Sequence, residues 1–119
     1  MRDYHKLDVW VKGHALALDI HRLTHAYPRR EIFGLAAQMR GAARSIPANV
    51  AEGCGRDSRK DFARFLDIAS GSANELAYYV ELSRDLGYLM PDESARLTDR
   101  ISEVGRMLVG LRATVRRTP

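Results

Sequence analysis

The chain has 119 residues, of which 45% are hydrophobic and 29% charged, and its net charge of +4 permits contact with nucleic acid or an anionic membrane without requiring either. This length excludes a second hydrophobic core, and the single cysteine, Cys54, excludes an internal disulfide and a two-cysteine metal or redox motif. Because the N-terminus opens with charged residues and no stretch reaches the roughly 20 apolar residues of a membrane span, we expect a soluble cytoplasmic protein without membrane association.

Apolar residues recur at helical spacing in four blocks, and none of the blocks reads as a strand. The first block runs from Val9 to Tyr27 and is ended by Pro28, and the second runs from Leu35 to Gly53. Pro47 lies inside the second block, and proline both lacks an amide hydrogen and crowds the carbonyl four residues earlier, so the helix should bend there. Since the apolar register is the same on both sides of Pro47, we predict one kinked helix.

The third and fourth blocks have clearer boundaries than the first two. The third is capped by Ser58, with Asp61 three residues later, and its apolar stripe runs from Phe62 to Leu86 before Gly87 ends it. The fourth repeats apolar residues every seven positions from Leu97 to Val115. Four helices with short connections predict an all-α fold, an antiparallel up-down-up-down four-helix bundle in one domain, residues 1–119.

Polar residues lie beside the apolar stripe of the second helix. We predict a structural polar network formed by Gln38, Ser45, Asn49, Glu52 and Ser72. In it, Ser45 should bond to a backbone carbonyl near the bend, Asn49 should satisfy groups freed by the proline, and Glu52 should meet a helix end or an arginine.

The alternative for this polar row is a pocket that binds or transforms a ligand. It lacks a nucleophile paired with a base, because no histidine is near it in sequence and the lone cysteine has no activating partner. We therefore expect no enzyme, no catalytic residue and no cofactor.

Three histidines make a metal site geometrically possible. His21 and His25 share a helix face, and His14 lies one heptad before His21. The Glu-x-x-His pairs that build di-iron sites in helical bundles do not occur in this sequence, so we predict no metal.

Several segments together closely resemble a family of small four-helix-bundle proteins, those encoded within intervening sequences of bacterial large-subunit ribosomal RNA genes. The most specific segment is the Ser-Ile-Pro-x-Asn-hydrophobic-Ala-Glu-Gly core at 45–53; the others are 7–10, 27–28, 35–40 and 65–76. That family is similar to the accessory proteins of diversity-generating retroelements, which are homopentameric bundles with basic surfaces associated with nucleic-acid binding. The resemblance implies a homopentamer and a nucleic-acid partner here.

The charges are expected to be unevenly distributed between the two ends of the bundle. An antiparallel arrangement brings the starts of the first and third helices beside the ends of the second and fourth, where basic residues outnumber acidic ones. Such an end can hold the phosphates of RNA or DNA without reading bases. The predicted nucleic-acid-binding residues are Arg40, Arg44, Arg56, Arg59, Lys60, Arg112, Arg116 and Arg117.

Two other interpretations of these cations stay open. Arginines at the end of the fourth helix could do no more than complement the helix dipole. Alternatively, the protein could be an oligomeric adaptor that binds another protein and no nucleic acid. Trp10, Val11 and Leu18 lie off the main stripe of the first helix, which indicates a second apolar face and thus a homo-oligomer in either case.

Overall fold

The computed structural model describes residues 2–117 and contains four long helices within them. These are α1 (Asp8–Thr24), α2 (Leu35–Cys54), α3 (Arg59–Asp85) and α4 (Pro91–Arg117). Single 3₁₀ turns at Tyr4–Lys6 and Arg29–Glu31 precede α1 and α2. No strand occurs between residues 2 and 117, so the prediction of an all-helical chain is confirmed.

The helices pack around one core that extends along their length. Both α1 and α3 contact α2 and α4, which is the neighbour pattern of a four-helix bundle, and the body measures 49 × 24 × 20 Å. Along the α2–α3 contact, Gly53 lies against Phe62 whereas Ser83 donates to Met39, so paired residues follow opposite sequence order. The largest fully buried side chains include Leu16, Ile20, Met39, Ile46, Phe62, Leu66, Leu76 and Leu108.

Helix α2 continues through Pro47 without interruption. Ile46 and Val50, on either side of the proline, are both fully buried, so the apolar register is the same before and after it. Gly13 of α1 faces this segment, and a Cβ placed there would lie 3.3 Å from Ile46 Cγ2 and 3.7 Å from Pro47 Cδ. One continuous helix is therefore observed, and the bend at Pro47 stays a prediction.

Both ends of α3 are fixed by local hydrogen bonds. Ser58 caps the first turn, its Oγ accepting from the amide of Asp61 at 3.1 Å. At the other end Gly87 has a φ of +83°, and the amide of Tyr88 donates to the Ser83 carbonyl at 2.8 Å, the pattern of a Schellman motif. Leu86, expected in the core stripe, is half-exposed because α3 ends there.

The connections α1–α2 and α3–α4 are joined through Glu31. Its carboxylate accepts from the Leu35 amide at 3.1 Å and from the Tyr88 hydroxyl at 2.9 Å. The bond from the Leu35 amide, and then that from Tyr88, holds the pKa of Glu31 below its ordinary value. The Tyr88 ring also packs 5.1 Å from that of Tyr27. These contacts close the end of the bundle opposite the start of α3.

Candidate nucleic-acid interface

A groove of about 640 Å³ lies between the first turns of α3 and the last turns of α4. Its lining contains five cationic residues, two acidic residues and two small ones: Arg59, Lys60, Arg64, Arg112, Arg116, Asp61, Asp67, Ser58 and Ala63. We call this feature the basic groove. Side-chain charge favours an anion there, because five cations face two carboxylates, whereas the positive dipole end of α3 and the negative dipole end of α4 both lie at the groove and oppose each other.

The cations of the basic groove fall into two groups. Arg112 holds Asp67 with two hydrogen bonds, from Nε to Oδ1 and from Nη2 to Oδ2, the second at 3.0 Å. Arg64 lies 3.6 Å from an Asp61 oxygen. By contrast, Arg59, Lys60 and Arg116 are exposed and have no ion-pair partner within residues 2–117. These three cations, which we call the unpaired cations, are available to an incoming anion.

Arg56 and Arg117 lie at the same end of the bundle as the basic groove. The guanidinium carbon of Arg56 lies 4.8 Å from the centre of the Phe65 ring, and that of Arg64 lies 4.5 Å from it. Arg56 also donates to the Glu52 carboxylate one helical turn earlier. Arg117 is exposed in the last turn of α4. Phe65 thus links the end of α2 to the edge of the groove.

Arg40 and Arg44, the other two predicted nucleic-acid-binding residues, lie away from the basic groove. Arg40 Nε donates to Thr24 Oγ1 at 2.7 Å and its Nη2 donates to the His21 carbonyl at 3.2 Å. Its guanidinium therefore satisfies groups in the last turns of α1, because the first half of α2 packs beside that end of α1. Arg44 is exposed further along α2 and bonds to no groove residue that the structure describes.

Replacing Arg40 with alanine should lower the stability of the fold and leave nucleic-acid binding unchanged. Loss of two partly buried bonds from a charged group should cost about 1–2 kcal/mol. Urea unfolding followed by circular dichroism measures this cost, and Arg44→Ala is the control, expected to stay within about 0.5 kcal/mol of the wild type. An Arg40→Ala protein with normal stability and weakened nucleic-acid binding would contradict the assignment of Arg40 to packing between α1 and α2.

Part of the predicted polar network is assembled between α2 and α3. Ser45 Oγ lies 2.7 Å from Ser72 Oγ, and Asn49 Nδ2 donates to Ser45 Oγ at 2.9 Å and to the Ser45 carbonyl at 2.7 Å. Asn49 was expected to satisfy a group freed by Pro47, which would be the Ala43 carbonyl. It binds the Ser45 carbonyl because that group lies one turn behind it on the same helix face.

Gln38 and Glu52 do not join this network. The Tyr79 hydroxyl donates its proton to Glu75 at 2.8 Å, and Gln38 Oε1 lies 3.4 Å from the same hydroxyl oxygen. Glu52 meets Arg56, as described above. The five polar residues therefore form three separate groups, and the central one, Ser45 with Asn49 and Ser72, ties α2 to α3.

Other chemical groups of the chain are engaged in packing. His14 stacks on Trp10 with ring centres 4.9 Å apart, and His21 Nδ1 lies 3.1 Å from the Ala17 carbonyl. Residues 2–117 contain no cluster of three or more His, Cys, Asp and Glu side chains that could hold a metal ion. Cys54 is buried, and this burial raises the pKa of its thiol. Over the same residues, no helix is long and apolar enough to cross a membrane.

Sequence reasoning missed two charged residues of the basic groove, Arg64 and Asp67. Both follow Lys60 on one face of α3, at steps of four and then three residues. That spacing could have placed them beside Lys60. The pairing of Asp67 with Arg112 additionally depends on the register between α3 and α4, which no local pattern contains.

Comparisons with known proteins agree with the observed fold. The family model described as "23S rRNA-intervening sequence protein" matches residues 5–110. The crystal structure of a protein of unknown function from the S23 ribosomal protein family of Bacteroides thetaiotaomicron superposes with a TM-score of 0.78. It is 25% identical, over 87% of this chain and 96% of that one. No curated protein matches the chain.

Proposed function

The chain belongs to the 23S rRNA-intervening sequence protein family, and we propose that it is a non-enzymatic homo-oligomer that binds the phosphate backbone of RNA or DNA. The observation that carries this proposal is the set of unpaired cations in the basic groove, Arg59, Lys60 and Arg116, which lack an ion-pair partner within the described residues. Guanidinium and ammonium groups bind phosphate oxygens through charge-assisted hydrogen bonds and release counterions from the nucleic acid.

The positions of Arg59 and Lys60 favour a ligand over simple solvation of a helix end. Both lie in the first turn of α3, where the positive end of the helix dipole makes cations unfavourable by about 0.3–1 kcal/mol each. Arg116 complements the dipole at the end of α4, but the dipole of α3 gives no reason for cations at its own start. An anionic ligand between the two helix ends does give such a reason.

The lining of the basic groove supports binding without base recognition. Its side chains are charged or small, and Phe65 beside it has the guanidinium groups of Arg56 and Arg64 over its ring. Contacts to phosphate position a nucleic acid but carry no sequence information. The proposed ligand is therefore any RNA or DNA backbone, with affinity set by charge and salt.

The homo-oligomeric part of the proposal is supported by the outer face of α1. Val11 and Leu18, seven residues apart on that face, are 49% and 42% exposed. A second copy that covers them would remove this apolar surface from water. Several copies would also present several basic grooves to one nucleic acid, which raises the overall affinity through multivalency.

Salt-dependent binding tests the proposal directly. Titration of the wild-type protein into fluorescent random-sequence RNA and DNA duplexes should give affinities that fall with salt. Three phosphate contacts predict about a 40-fold loss between 50 and 200 mM, from a slope near 0.9 per contact. If the protein binds neither RNA nor DNA at 50 mM salt, the proposal is rejected and a protein–protein adaptor is favoured. Light scattering of the same samples measures the oligomeric mass.

A further inference from the structure

Arg112 holds Asp67 through the same two-bond contact with which arginine binds a phosphate group. Nε and Nη2 of the guanidinium each donate to a different oxygen of the carboxylate. Arginine uses this two-donor edge for carboxylate and phosphate alike, since both ligands present two oxygens in one plane. Both side chains remain open to solvent, at 35% exposure for Arg112 and 49% for Asp67, so a ligand can reach the pair.

From this geometry we infer that Arg112 is a phosphate-binding subsite of the basic groove and that Asp67 occupies it in the absence of nucleic acid. The inference rests on the proposed function. The unpaired cations hold the backbone first, and a phosphate then displaces the Asp67 carboxylate from Arg112. Asp67 lowers affinity in two ways, because it occupies both donors and places a negative charge beside the incoming phosphate.

The displacement costs little free energy because the pair is partly exposed. Ion pairs at such positions contribute little to stability, so one anion can replace another at low cost. The new partner also keeps both hydrogen bonds of the guanidinium. Asp61, the other carboxylate of the groove, is 3.6 Å from Arg64 and forms no comparable two-bond contact.

A comparable ion pair outside the groove provides a matched control. Lys12 of α1 lies 3.1 Å from Glu103 of α4, and both side chains are about half-exposed, at 49% and 45%. Asp67→Asn and Glu103→Gln each remove one negative charge, so each raises the formal net charge of +4 by one, to +5. Any difference between the two variants then reports the position of the charge.

The two variants are titrated with the random-sequence duplexes described above. Asp67→Asn should bind about three- to tenfold more tightly than the wild type, and its salt slope should rise by about 0.9, the value of one added phosphate contact. Glu103→Gln should change the affinity by less than about twofold, because salt screens a distant charge. Circular dichroism of every variant checks that its helices are kept.

The same substitution in an Arg112→Ala background separates displacement from general repulsion. There, Asp67→Asn should give less than about a twofold gain and no rise in salt slope, since the donor pair is missing and only the repulsion by one charge is removed. A three- to tenfold gain that persists without Arg112, or an Asp67→Asn affinity equal to that of Glu103→Gln while the wild type binds normally, would overturn the inference and leave the proposed function intact. If neither the wild type nor Asp67→Asn binds at low salt, both fail. Binding by Asp67→Asn alone would support the inference.

Discussion

Replacing Gly53 with leucine will destabilise the fold by about 3 kcal/mol, the upper part of the range for overpacked cores. Even a Cβ at this position would lie 2.7 Å from Cδ1 of Phe62 and 3.2 Å from Cβ of Phe65. Phe62 is almost completely buried and cannot move aside. The end of α2 would therefore have to separate from the start of α3, at the end of the bundle that carries the basic groove.

Gly71 provides the matched control for this prediction. It lies on the exposed side of α3, and a Cβ there meets nothing within 4 Å. Gly71→Leu should stabilise the protein by about 0.5–1 kcal/mol, because glycine is a poor helix former. Urea unfolding of both variants measures the two changes, and equal stabilities for the Gly53 and Gly71 variants would show that the close contact with Phe62 is absent in solution.

Removing the unpaired cations should abolish most of the nucleic-acid affinity. A variant with alanine at Arg59, Lys60 and Arg116 should bind random-sequence duplexes on the order of 100-fold more weakly at low salt, with a salt slope smaller by about 2.7. The loss of Arg59 and Lys60 should not lower the free energy of unfolding, because both charges are unfavourable at the positive dipole end of α3. Fluorescence anisotropy across a salt series measures both the affinity and the slope.

Three exposed arginines outside the groove form the control set: Arg29, Arg96 and Arg106. Alanine at these positions also removes three charges from the formal net charge of +4, leaving +1, as in the groove variant. The control set should retain most of the affinity. Equal losses in the two variants would mean that net charge, and not the basic groove, attracts nucleic acid.

The helical architecture was predictable because its signals are local. Ser58 at the start of α3 and Gly87 just after its end make hydrogen bonds to residues close in sequence. The apolar register is likewise local, and it continues through Pro47. Leu86 was assigned to the core incorrectly, although it continues the apolar period of α3. Its burial depends on where the helix stops relative to its neighbours, which periodicity does not contain.

The candidate site was only partly predictable, for a related reason. Arg59, Lys60, Arg112 and Arg116 come together because helix ends meet wherever antiparallel helices of similar length pack. Arg40 carries the same charge but binds the end of α1. The register between helices determines which carbonyl or carboxylate a guanidinium reaches. The contact between Asp67 and Arg112 could not be predicted for the same reason.

The burial of Cys54 has a practical consequence for the binding measurements. A maleimide dye requires an accessible thiolate, and this thiol is 1% exposed with its pKa raised by burial. A second cysteine introduced at Met90, an exposed residue just before α4, would therefore take the dye selectively while Cys54 stays in place. The label would lie at the far end of the 49 Å long body from the basic groove, where it reports association without occupying the surface proposed to bind nucleic acid.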